Sequence, residues 1–191
     1  MNIVIAGCTC SGKTTLTREI INEYTFVSSM PQDKYFKDLN NIPKHKGRYL
    51  MDSINAFEYN EYQQDCLTLL SDGKVNIPRY DLTQNKRLTK DLLLLKKNLI
   101  VFEGLHTIKL LSEIPDALKI FLSVDLDECL RRRIERDSKK YGVEPKKIEE
   151  YFYECAIPMY REYIEPQKEK ADIVIEEKED AKWILKKYIK S

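Results

Sequence analysis

The feature that most constrains this chain is the segment Gly7-Cys8-Thr9-Cys10-Ser11-Gly12-Lys13-Thr14, a full match to the pattern GxxxxGK[ST]. It is preceded by the apolar run Asn2 to Ala6 and followed by a helix-period segment, Lys13 to Glu23. Strand, glycine-bracketed loop and helix in that order form a cradle for polyphosphate. The glycines let the backbone wrap an anion without Cβ clashes, and successive N–H groups and the helix N-terminus point at it. Residues Gly7 to Thr14, together with Thr15, are the expected phosphate contacts. Lys13 is expected to bridge the β- and γ-phosphates, and the Thr14 hydroxyl to bind magnesium.

The rest of the chain alternates short apolar runs with helical periodicity, which argues for a parallel sheet flanked by helices. The fold class is therefore α/β, a P-loop nucleoside-triphosphate hydrolase type with a helical lid. Strands are expected at Thr25–Ser29, Leu99–Phe102, Lys119–Val124 and Ile173–Ile175, with a short edge strand around Val75 and Ile77. Helices are expected from Tyr59 to Leu70, with Gly73 as left-handed terminator, and from Asp127 to Lys140. A further helical stretch runs from Glu144 to Glu165, interrupted near Pro158, and a terminal helix covers Ala181–Ile189 with Trp183 as packing. Residues 30–53 show no periodicity and read as a long loop. At 191 residues the chain fits one kinase-sized domain, with an acceptor-binding insertion at about 33–95 and a lid at about 136–150.

Bulk properties narrow the partners. Thirty-two basic residues against 31 acidic ones leave a net charge of +1, which predicts no bulk attraction to nucleic acid or anionic membrane. No apolar run approaches the roughly 20 residues of a membrane span, and the N-terminus reads as a strand and not as a signal peptide. Five cysteines without metal-ligand spacing suggest reduced thiols and a cytoplasmic setting. Self-association into a homo-oligomer is left open.

Two acids stand at informative places. Glu103 ends the apolar strand, where the carboxyl edge of such a sheet would set it beside the phosphate loop as a metal ligand; an acid facing solvent is the plainer alternative. Asp33, in Gln32-Asp33-Lys34-Tyr35-Phe36-Lys37, follows the second strand. By position alone it reads equally as a base toward an acceptor hydroxyl or as a helix N-cap. A basic helix carries Arg131, Arg132, Arg133, Arg136, Lys139 and Lys140; Arg133 and Arg136 share a face, while Arg131 and Arg132 read as solvated. His45 and His106 stand alone, without a partner that suggests catalysis.

Several segments together resemble the uridine kinase and phosphoribulokinase family, most of all its uridine–cytidine kinase branch. Residues 32–37 resemble Q-D-S-F-Y, and Asp52-Ser53-Ile54-Asn55-Ala56-Phe57-Glu58 is similar to D-H-P-D-A-F-D. Ile77-Pro78-Arg79-Tyr80-Asp81 resembles I-P-x-Y-D, Phe102-Glu103-Gly104 resembles F-E-G, and Ala171-Asp172-Ile173-Val174-Ile175 resembles A-D-V-I-I. The resemblance implies ATP and Mg2+, with a small nucleoside-like acceptor phosphorylated on its 5′-hydroxyl. It implies Asp33 as base, Glu103 serving the magnesium, Asp52 and Arg133 on the ribose hydroxyls, Tyr80 against the base, and Arg136 on phosphate. Two departures concern selectivity: Asn85 stands where the family has a base-contacting histidine, and Tyr141-Gly142-Val143 replaces R-G-R in the lid. Another metabolite such as nicotinamide riboside, or a non-catalytic nucleotide-binding module, are the alternative readings. A guanine-reading switch would need N-K-x-D, whereas Asn85-Lys86 continues as Arg87-Leu88.

Overall fold

The computed structural model describes residues 2–176 and 187–189. Five parallel strands form the central sheet: β1 (Asn2–Gly7), β2 (Val27–Pro31), β9 (Leu99–Glu103), β10 (Ala117–Leu122) and β11 (Ile173–Ile175), in the order β11-β10-β1-β9-β2. Every residue of β9 is buried, as are all but the first of β1, which is why these strands read as unbroken apolar runs and not as alternating ones. α1 (Lys13–Glu23) follows the phosphate loop. Its Leu16 and Ile20 pack on one face of the sheet with Ile3, Ile5, Val101 and Ile120. The other face buries Val4, Ala6, Met30, Ile100, Phe102 and Phe121 under the remaining helices.

Between β2 and β9 the chain makes three 3-10 turns (Gln32–Tyr35, Leu39–Asn41 and Ile54–Ala56), a short hairpin of β3 (Lys44–His45) and β4 (Arg48–Tyr49), and α2 (Tyr59–Asp72). Gly73 ends α2 in the left-handed region, at φ 75. Two further hairpins follow, β5 (Lys74–Ile77) with β8 (Leu92–Leu95), and β6 (Tyr80–Asp81) with β7 (Lys86–Arg87), both antiparallel and apart from the main sheet. The edge strand expected at Val75 and Ile77 thus exists, but it pairs with a leucine run whose lack of alternation hid it. β2 begins two residues later than expected, so that Asp33 comes just two residues after the strand end.

α3 (Thr107–Leu110) follows β9, and α4 (Leu126–Tyr141) follows β10. Asp125 caps α4 by accepting the N–H groups of Asp127 at 2.9 Å and Glu128 at 3.2 Å. α5 (Pro145–Tyr151) continues through π-helical turns at Phe152–Ala156 and Tyr160–Ile164, with α6 (Ile157–Met159) between them and a 3-10 stretch to Lys170. Pro158 lacks an N–H, and the helix absorbs it by widening on both sides instead of breaking. Of the expected terminal helix, residues 181–186, Trp183 included, lie outside the described residues.

Gln32 and Gly104 meet where β2 and β9 end. A Cβ on Gly104 would lie 2.3 Å from Gln32 Oε1 and 2.4 Å from Gln32 Cβ, so this corner requires glycine. Gln32 is fully buried, and its Oε1 accepts the backbone N–H of His106 at 3.0 Å. Gly104→Ala should therefore push the two strand ends apart and cost about 1–3 kcal/mol, the usual range for overpacking, read as a shift of the denaturant midpoint.

Candidate active site

The parallel register decides which side chains meet. Ile5 pairs with Glu103, and Glu103 with Pro31 on its other side, so the loop after β1, the acid ending β9 and the turn after β2 emerge together at the carboxyl edge of the sheet. A cleft of about 1340 Å³ opens there. Pockets for one small ligand span about 300–1,000 Å³, so this one has room for a nucleotide and a second molecule.

The phosphate loop forms its floor. Gly7 has φ 151, and a Cβ there would lie 2.6 Å from the Leu122 carbonyl oxygen. Gly12, at φ 101, turns the chain into α1, whose first turn holds no acid to compete with an anion. Lys13 is folded back on the loop, its Nζ donating to the carbonyls of Gly7 at 2.9 Å and Cys8 at 2.7 Å. Thr9 to Thr15 line the cleft, whereas Gly7 and Cys8 are not among its lining residues.

Thr14 Oγ1 donates to Glu103, at 3.1 Å from Oε1 and 3.4 Å from Oε2. Burial first, and then the charge of Asp33, push the Glu103 carboxyl up to about 7, against the pull of Lys13, Thr14 and Arg18. A hydroxyl and a carboxylate at this spacing suit one hard cation. Among the described residues, no group of three or more His, Cys, Asp or Glu side chains could hold a metal by itself. The pair therefore fits magnesium, which takes one or two protein oxygens and completes its shell with phosphate and water.

Asp33 sits within a 3-10 turn whose N-cap position belongs to Pro31, so it is not a helix cap. It lines the cleft with an exposed side chain. Desolvation by the surrounding walls raises its carboxyl, while Lys13 and Arg136 pull it down. Arg136 also lines the cleft, its Nε donating to Asp137 at 2.7 Å.

Farther along the cleft, Asp52 is nearly buried and tied from three directions. Its Oδ2 accepts from the Tyr151 hydroxyl at 3.2 Å and from Arg133 Nη1 at 3.5 Å, and its backbone carbonyl lies 3.0 Å from His106 Nε2. His106 is fully buried, and burial lowers its ring to about 4. It is neutral at pH 7, so Nε2 carries the proton and donates to that carbonyl.

The expected acceptor contacts separate. Asp52, Arg133 and Asn85 line the cleft together with Phe36, Met51 and Leu82. Tyr80 does not: it packs behind Phe36 at 5.4 Å between ring centroids, and its hydroxyl donates to the Lys37 carbonyl. Of these two rings the one lining the cleft is that of Phe36, and Tyr80, expected against the base, stands behind it. Arg132, expected to be solvated, lines the cleft beside Gly12, held by Glu128 at 2.7 Å. In the lid segment Lys140, Tyr141 and Val143 line the cleft, and Lys139 does not. His106 and Tyr151 carried no sequence signal, because their roles depend on contacts 54 and 99 residues distant.

A phosphate loop on a five-stranded parallel sheet, with an acid at the neighbouring strand end, defines a P-loop phosphotransferase architecture. The match to the family model "Phosphoribulokinase / Uridine kinase family" spans residues 2–183, and the chain belongs to that family. It is 33% identical to a uridine kinase of Lactobacillus helveticus over 92% of this chain and 85% of that protein. It is 32% identical to a uridine kinase of Halobacterium salinarum over 92% of this chain and 79% of that one. Among solved structures, one described as a possible uridine kinase from Bacillus stearothermophilus superposes with a TM-score of 0.58 at 18% identity, covering 92% of this chain and 88% of that one. At that identity the likeness is one of fold.

The two shifted groups tilt stability in opposite directions. Folding raises Glu103 from 4.5 to about 7, so the native state holds that proton more tightly and its contribution falls as pH rises through that window. Folding lowers His106 from 6.5 to about 4, so its contribution is present above 6.5 and lost as pH falls toward 4. Relative to the parent at the same pH, Glu103→Gln should gain more stability at pH 8 than at pH 4.5. His106→Gln should lose more at pH 8 than at pH 4.5. Urea titrations at the two pH values check both signs.

Proposed function

We propose that this chain is an ATP-dependent nucleoside kinase that transfers the γ-phosphoryl group to the 5′-hydroxyl of a uridine-like acceptor. The observation that carries the reading is the convergence of Lys13, Glu103 and Asp33 on one cleft that continues to Asp52, Arg133 and Asn85. Relatives named uridine kinase, similar over nearly their whole length, support the acceptor class.

In this reading the loop N–H groups and the N-terminus of α1 hold the triphosphate, and Lys13 leaves its carbonyl partners for the β- and γ-phosphate oxygens. Thr14 and Glu103 would hold magnesium, which would supply charge neutralisation on the phosphate oxygens. Asp33 orients the acceptor hydroxyl and accepts its proton as the oxygen attacks phosphorus in line; the bond to the β-phosphate oxygen breaks and ADP leaves. The raised proton affinity of Asp33 suits a base that must take a proton from an alcohol. Arg136, and Arg132 above Gly12, add positive charge where the transferring group sits. The lid segment shields the cleft from water, which disfavours hydrolysis. Asp52 and Arg133 take the sugar, and Phe36 with Asn85 flank the base.

The Asp33→Asn variant should bind ATP as the parent does and lose turnover by about 10²–10⁴-fold, the usual worth of a general base. Calorimetry for binding and coupled ADP release for turnover read the two effects separately. Near-parental turnover would remove Asp33 from the chemistry. A panel in which no nucleoside is phosphorylated would overturn the acceptor assignment.

A further inference from the structure

Asp33 reaches the cleft from a turn only four residues long, Gln32–Tyr35, so its position is set by what holds the two ends of that turn. Gln32, at one end, is packed against Gly104 and accepts the His106 N–H. Tyr35, at the other, is fully buried, its ring edge-on to Tyr62 at 5.0 Å between centroids. Its carbonyl accepts the Glu58 N–H at 2.8 Å, and its hydroxyl donates to Asp65 Oδ2 at 2.8 Å. Glu58 caps α2 and Asp65 lies within it, so the far end of the turn is fastened to that helix.

The other oxygen of Asp65 meets a different element. Oδ1 accepts from Lys90 Nζ at 2.7 Å, and the same ammonium lies 3.2 Å from Glu61 Oε1. Glu61 Oε2 in turn accepts from Arg87 Nη2 at 2.5 Å. Glu61 and Asp65 are four apart and share one face of α2. Arg87 ends β7, and Lys90 follows it on the way to β8. The turn of that β6–β7 hairpin brings Asn85 to the cleft. Two acids of α2 thus fasten the acceptor-side hairpin, and one of them also fastens the turn of Asp33.

Resting on the nucleoside-kinase reading, we propose that Asp65 is a positioning residue: through Tyr35 it sets the turn that carries Asp33, and through Lys90 it ties that turn to the hairpin bearing Asn85. Asp65 itself is buried and is not among the residues that line the cleft. Seating of an acceptor against the hairpin and alignment of its hydroxyl with the base then share one carboxylate. A misplacement of about 1 Å at a reacting group costs about 100-fold, so one bond in this chain of contacts is large enough to read in turnover. As a staple alone the network has little value, because a buried ion pair stabilises no better than the apolar side chains it displaces.

The test measures kcat and the KM values for uridine and ATP, with denaturant midpoints, in the parent, Tyr35→Phe, Lys90→Gln and Lys90→Arg. Tyr35→Phe keeps the buried ring and removes only the bond to Asp65. Its kcat should fall by about tenfold or more while KM for ATP stays within about twofold, because the loss falls on the step that Asp33 serves. Lys90→Gln should lower kcat and raise KM for uridine, each by about fivefold or more. Lys90→Arg keeps a cation between Glu61 and Asp65, and should bring both values back to within about threefold of the parent. A staple without a positioning role would move the midpoints and leave kcat per folded protein in place. A folded Tyr35→Phe protein with kcat within about threefold of the parent overturns the inference, and so does Lys90→Arg no better than Lys90→Gln. Should Tyr35→Phe fail to fold, the two variants of the partly exposed Lys90 decide alone. Parental turnover of uridine with unchanged variants removes this inference only, whereas a parent that phosphorylates no nucleoside removes the nucleoside reading and the inference with it.

Discussion

The constraint on which the molecule rests is the parallel register of three adjacent strands. β1, β9 and β2 end level with one another, with Ile5, Glu103 and Pro31 in line across the sheet. Because side chains alternate along a strand, a shift of one residue would turn Glu103 away from the loop after β1 and into the opposite layer. The register is secured at the corner where it matters. Thr107 Oγ1 bonds the Ile5 carbonyl at 2.7 Å, the Gly104 N–H donates to that same carbonyl at 3.1 Å, and Gln32 is packed against Gly104. The phosphate loop, the acid ending β9 and the candidate base thus start from strand ends held in one register.

At this edge desolvation first, and then a neighbouring carboxylate, raise the proton affinity of Asp33 and of Glu103, with Asp52 acting on Asp33 and Asp33 on Glu103. Lys13 and Arg136 offset this for Asp33, and Arg133 pairs with Asp52. The ammonium of Lys13, however, is committed to carbonyls of its own loop. In the proposed reading a polyphosphate would draw that ammonium toward its oxygens, and Thr14 and Glu103 would hold a divalent cation that adds positive charge beside the acids, favouring ionised carboxylates.

How much of this was legible in the sequence follows from the range of the interactions. The phosphate loop, α1 and the buried strands are local features: a glycine-rich motif, a 3.6-residue period and unbroken apolar runs each report on neighbours in the chain. Asp33 and Glu103 were legible because they lie within two residues of strand ends, so a topology argument reaches them. The acceptor side was not legible in the same way. Its walls come from side chains of the segment between β2 and β9 meeting α4 and α5, and no spacing rule announces that Tyr151 will reach Met51 and Asp52. Tyr80 shows the converse failure. It matched a motif in the sequence, yet whether its ring or that of Phe36 faces the cleft is decided by tertiary packing. β8 escaped notice because four leucines in a row do not alternate.

Asn85 illustrates how two demands on one residue separate. It lies in the turn between β6 and β7 at φ 48, a left-handed conformation that asparagine adopts more readily than most residues other than glycine. Its carbonyl accepts the Leu39 N–H at 3.2 Å, joining the hairpin to the turn that precedes β3. The backbone alone is therefore sufficient reason for asparagine at this point, whatever its amide does in the cleft. Where the resemblance sets a histidine, this chain has a residue that closes the turn and still presents a donor and an acceptor to the cavity. An amide offers both roles at every pH, whereas a neutral imidazole must choose by tautomer, so in the proposed nucleoside reading the exchange would broaden which base edge can be met. In that reading the chain's individuality lies on the acceptor wall, while Lys13, Glu103 and Asp33 are placed by the strand ends.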